Sequence, residues 1–64
     1  MRWVDIEDIV ELLEENHPDV DIMKLRFTEL HKFVIELPGF SDSQDRSNEK
    51  ILEVIQAEWL ELRG

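Results

Sequence analysis

Three stretches of the chain repeat apolar residues at helical spacing, and none alternates as a strand would. Ile6, Ile9, Val10 and Leu13 fall at i, i+3, i+4 and i+7, which predicts a first helix with one buried stripe. Asp5 stands in the N-cap position, with Asp8 three residues on where a capping box holds Glu. Trp3 and Val4, just before that cap, are placed to fold back over the stripe. Asn16-His17-Pro18-Asp19 ends the helix, because a residue before proline is pushed out of the α region.

Residues 20–26 form a short connector with one turn carrying Ile22, Met23 and Leu25. A second helix is expected from Thr28, whose hydroxyl can cap it, with Phe27 as a staple before the cap. Leu30, Phe33, Val34 and Leu37 are its buried face, and Pro38-Gly39 stops it. Phe40 is placed to close over the core. A polar stretch from Ser41 to Ser47 is a loop, after which Ser47 or Asn48 caps a third helix. Ile51, Leu52, Ile55, Trp59 and Leu62 define its buried side, and Leu60 falls on the opposite side. Arg63 suits the negative end of the helix dipole. The expected fold is all-α: one compact three-helix domain over residues 1–64, similar to a helix-turn-helix or winged-helix core with its wing absent or vestigial.

Composition narrows the function. The 64 residues carry sixteen acids against seven bases, a net charge of −9. Such a chain repels phosphate backbones, so nucleic acid is not an expected partner. It attracts basic protein surfaces and cations. With no cysteine, thiolate metal sites and disulfides are excluded for this chain. Asp5, Glu7 and Asp8 interrupt any leader-like apolar region, and no run is long enough to span a bilayer. A cytoplasmic monomer is the expectation. There is no Ser–His–acid arrangement and no glycine-rich phosphate loop, so no catalytic residue is assigned.

The acids are not evenly spread. On the first helix Glu7, Asp8, Glu11, Glu14 and Glu15 occupy an arc of about 120° opposite the apolar stripe. No lysine or arginine lies between Arg2 and Lys24, so none of them has a helical cation neighbour. Glu7 with Glu11, and Glu11 with Glu15, are like-charge i,i+4 pairs that each cost a few tenths of a kcal/mol, roughly. A helix selected for stability alone would carry a lysine here, which points to a partner surface rather than a solvated face. Glu49 and Glu53 form a smaller acidic set on the third helix, while Glu58 falls inside its apolar sector, where it is read as snorkelling outward near the helix end. The same four-residue spacing makes Glu7, Glu11 and Glu15 weak candidate ligands for Fe²⁺ or another oxygen-favouring cation, with no tightly bound cofactor expected. His31 reads as a structural residue at the edge of the second helix, and His17 as an exposed turn residue.

Two segments carry a more specific signal. Arg26-Phe27-Thr28-Glu29-Leu30-His31 opens the second helix, and Ser47-Asn48-Glu49-Lys50-Ile51-Leu52-Glu53 opens the third, followed by Trp59-Leu60-Glu61. With Trp3, Asp5 and Pro18-Asp19, their order and spacing resemble the IscX family over nearly the whole chain. The resemblance implies a cytosolic accessory protein of iron–sulfur cluster assembly, with a winged-helix-like fold that has no DNA-binding role. It implies binding to the cysteine desulfurase IscS at a basic surface shared with bacterial frataxin, and weak iron binding through acids. Arg26, Glu49, Lys50 and Glu53 lie in the matching segments and join the first-helix acids as expected partner contacts. The chain departs from the family between the second and third helices, where a dense acidic run is reduced to Asp42 and Asp45, with Arg46 offsetting one of them. That departure favours a docking role over the alternative of an iron donor or sensor.

Overall fold

A computed structural model describes residues 1–64 as three helices and two short 3₁₀ turns, with no strand. Helix α1 spans Ile6–Asn16, α2 Phe27–Ile35 and α3 Glu49–Arg63. The 3₁₀ turns are Ile22–Lys24 and Gln44–Arg46. No helix is long and apolar enough to cross a membrane. The three-helix expectation holds, and the wing is absent.

The core follows the helical periodicities. Ile9, Val10 and Leu13 of α1 meet Leu30 and Val34 of α2 and Leu52, Ile55 and Trp59 of α3. Trp3, Ile22 and Leu37 fill the core from the connecting segments. The pairing of α1 with α3 is the most extensive, and α2 packs across both. No charged or amide side chain is among the buried residues, so the core is held mainly by apolar burial.

The ends of the helices differ in detail from the sequence expectation. Asp5 is the N-cap of α1, yet its carboxylate makes no cap bond. It turns back and accepts from the Arg2 N–H at 2.8 Å. The N-cap of α2 lies two residues earlier than expected, at Arg26 rather than Thr28, which puts Phe27 inside the helix. The reason is Glu29, whose carboxylate accepts from the Arg26 N–H at 3.2 Å and satisfies a donor that the helix leaves open. Asn48 caps α3 as expected, its Oδ1 accepting from the Ile51 N–H at 2.9 Å. Gly39 has φ +85°, the left-handed conformation that turns the chain sharply after Leu37.

The N-terminal segment lies against the loop before α3. Trp3 is 1% exposed; its indole N–H donates to the Ser43 carbonyl at 2.8 Å. Phe40 meets its ring edge-on and His31 stacks on it. Asp42 accepts from the N–H groups of Trp3 and Ser43 at 3.2 and 2.7 Å. The Ser43 N–H, and after it that of Trp3, hold the Asp42 carboxyl below its ordinary range.

On α3 the buried arc is rotated from the expected one. Leu62 was expected inside and is 51% exposed, whereas Leu60 is half-buried against the core. The cause is the Ile22–Lys24 turn, which covers the side of α3 that carries Gln56 and Leu60. Gln56 ties the two together by donating from Nε2 to the Ile22 carbonyl at 2.9 Å. His17, expected in the open, is half-buried and stacked on Phe33 with ring centroids 4.1 Å apart.

Candidate functional site

The polar face of α1 follows from its buried one. Once Ile9, Val10 and Leu13 enter the core, the 100° step of the helix turns Glu7, Asp8, Glu11 and Glu15 to solvent. All four are exposed, and neither ion pair in the fold uses any of them. They form a continuous anionic strip, as the sequence pattern predicts.

Glu14 does not belong to that strip. It was expected to lack a counter-charge, and within α1 it does. Tertiary packing supplies one: Glu14 Oε1 accepts from the Trp59 indole N–H at 2.8 Å and from Arg63 Nε at 2.9 Å. Arg63 also donates to the carbonyls of His17 and Val20, and its guanidinium lies 5.4 Å from the centre of the Trp59 ring. One side chain thus joins the end of α3 to the end of α1 and the turn after it. The Trp59 hydrogen bond, followed by Arg63, holds the Glu14 carboxyl below its ordinary range against an opposing effect of burial. Glu14 is therefore an internal fastening of the fold, unlike the four unpaired acids of the strip.

The rest of the expected set is split between places. Arg26 is exposed at the start of α2, and Glu49, Lys50 and Glu53 are exposed on the first turns of α3. Glu53 borders a surface hollow with Met23, Gln56, Ala57 and Leu60, apart from the α1 acids. Two acids that sequence reasoning did not assign stand with α1 instead. Glu58 and Glu61 line a groove between α1 and α3 together with Glu7, Glu11, Val10 and Leu62. The place of Glu58 in the apolar sector of α3 was the one available signal. The helix turns that sector toward the α1 groove rather than into the core.

Glu7, Glu11 and Glu15 rise along one face, but nowhere in the fold do three or more His, Asp or Glu side chains converge as ligands of one ion. His31 serves the structure: its Nε2 lies 2.9 Å from the Gln44 carbonyl while its ring stacks on Trp3. Asp42, one of two acids left in the loop, is engaged by backbone N–H groups and by Arg46 at 3.9 Å. What the exposed arrangement offers chemically is a rigid anionic surface with apolar patches between the charges.

Comparison with known proteins places the chain in one family. The sequence model of the family described as iron-sulphur cluster assembly matches residues 1–63. An uncharacterized protein of Pseudomonas aeruginosa is 46% identical over 63 residues, 98% of this chain and 96% of that protein.

Proposed function

Because the chain belongs to the iron–sulphur cluster assembly family, we propose that it acts there as a non-catalytic adaptor that docks on a cysteine desulfurase. The observation that carries the reading is the α1 strip. Glu7, Asp8, Glu11 and Glu15 are exposed, lie on one rigid helix and have no cation of the chain paired with them. Like charges held together in this way repel until an oppositely charged surface arrives. The basic desulfurase surface implied by the resemblance to the IscX family is such a surface. Arg26, Glu49, Lys50 and Glu53 are candidate secondary contacts, and a frataxin-like protein that uses the same basic surface is the expected competitor.

Complementary charge acts chiefly on the rate of association and on its salt dependence. The test is a pull-down with purified desulfurase at two salt concentrations, comparing the parent chain with Glu11→Lys/Glu15→Lys. The double variant should bind more weakly at low salt, and the difference should narrow as salt rises. Equal binding of parent and variant at low salt refutes the proposal.

A further inference from the structure

The groove between α1 and α3 differs from the rest of the acidic surface. Its walls are carboxylates from two helices, Glu7 and Glu11 on one side and Glu58 and Glu61 on the other. Its floor is apolar, with Val10 buried beneath and Leu62 standing 51% exposed. The space is open and measures about 330 Å³. No cation lines it. Arg63, the next residue along from Leu62, is turned away to Glu14, Trp59 and two carbonyls.

A diffuse anionic surface needs only charge. This groove also offers Leu62, a half-exposed apolar side chain among four carboxylates in the same lining. The side chain that satisfies both features is a long cationic one, with a methylene stem for the leucine and a charged head for the rim. Arginine fits best, because its planar guanidinium presents several fixed N–H donors to carboxylates approaching from two directions.

The geometry points to the α1–α3 groove as a socket for one protruding arginine of the protein partner, its stem on Leu62 and Val10 and its guanidinium between Glu7, Glu11, Glu58 and Glu61. The inference rests on the docking reading above and deepens it. General attraction by the α1 strip becomes a registered contact, and three residues of α3 enter the interface.

Charge and stem respond differently to salt. The Debye length is about 30 Å at 0.01 M salt and about 8 Å at 0.15 M. Screening weakens the carboxylate contribution and leaves the apolar contact in place. The experiment measures desulfurase affinity of the full chain at those two salt concentrations. The variants are Leu62→Ala, Glu58→Gln/Glu61→Gln, Glu11→Lys/Glu15→Lys and, as a remote control, Glu36→Gln, with circular dichroism confirming that each stays helical. Leu62→Ala should lose about fivefold at both salts, the size expected for one to two methylene groups left uncovered. Glu58→Gln/Glu61→Gln should lose about tenfold at low salt and less at high salt, while Glu36→Gln stays within about twofold of the parent. If Glu11→Lys/Glu15→Lys weakens binding while Leu62→Ala and Glu58→Gln/Glu61→Gln match the parent, the socket is overturned and the docking reading stands. If Glu36→Gln weakens binding as much as the α3 pair, attraction is diffuse and the socket again falls. If every variant binds as the parent does, both are wrong.

Discussion

The docking reading implies that α1 is less stable than its length and core allow, and one substitution exposes this. Glu11 is the centre of the strip, four residues from both Glu7 and Glu15. In Glu11→Lys two repulsive i,i+4 pairs become attractive ones. Each pair contributes about 0.2–0.5 kcal/mol of either sign, so the swing is roughly 0.4–1 kcal/mol per pair and about 1–2 kcal/mol for the two. The new ammonium also faces Glu58 and Glu61 across the groove, which adds in the same direction. Exposure and screening reduce the total, and a gain of about 1 kcal/mol at low salt is the working figure. For a domain of this size that raises the thermal midpoint by about 4–8 °C. The assay is thermal unfolding followed by circular dichroism at low and high salt, with urea unfolding as a second measure. At about 1 M salt, where the Debye length is about 3 Å, most of the gain should vanish. The same variant should bind the desulfurase more weakly, since the lysine occupies from within the groove the place assigned to the partner's cation. An unchanged or lower midpoint at low salt refutes the reasoning. The strip would then be a relaxed, hydrated face with no repulsion for a partner to relieve.

Two further outcomes follow from the fold. Glu14→Gln should have a lower urea midpoint than the parent at neutral pH. A carboxyl depressed in the folded state stabilises above its unfolded pKa and loses that contribution as pH falls through its folded pKa, so the gap should close in acid. A gap that stays constant with pH excludes the charge of Glu14 as its source. Gly39→Ala should cost about 1–2 kcal/mol in urea unfolding, because φ is +85° and a Cβ there meets no atom within 4 Å, leaving backbone strain as the only term. Gly39→Asn should cost less, since asparagine tolerates the left-handed region better.

Much of the site was legible because a helix converts spacing into direction. The apolar residues of α1 determine which way its acids face, so Glu7, Asp8, Glu11 and Glu15 follow from the sequence with no tertiary information. Glu14 did not, because its partners Trp59 and Arg63 are 45 and 49 residues away. No periodicity within α1 encodes a contact with the end of α3. The groove was hidden for the same reason. Glu58 looked misplaced on α3 alone and makes sense only once α1 lies beside it.

By itself the sequence determined the three helices, the core positions that face inward, the strongly acidic charge and the family resemblance. These are local or compositional properties: apolar period, capping residues, proline and glycine stops, and a sum of charges. Tertiary structure decided which flank of α3 is covered, and so exchanged the expected burial of Leu62 for that of Leu60 when the Ile22–Lys24 turn settled on the Gln56 side. It also decided that one acid of the expected arc fastens the fold and that two unassigned acids join the exposed ones. Burial and pairing between distant segments depend on how helices cross, and spacing along one helix carries no record of that.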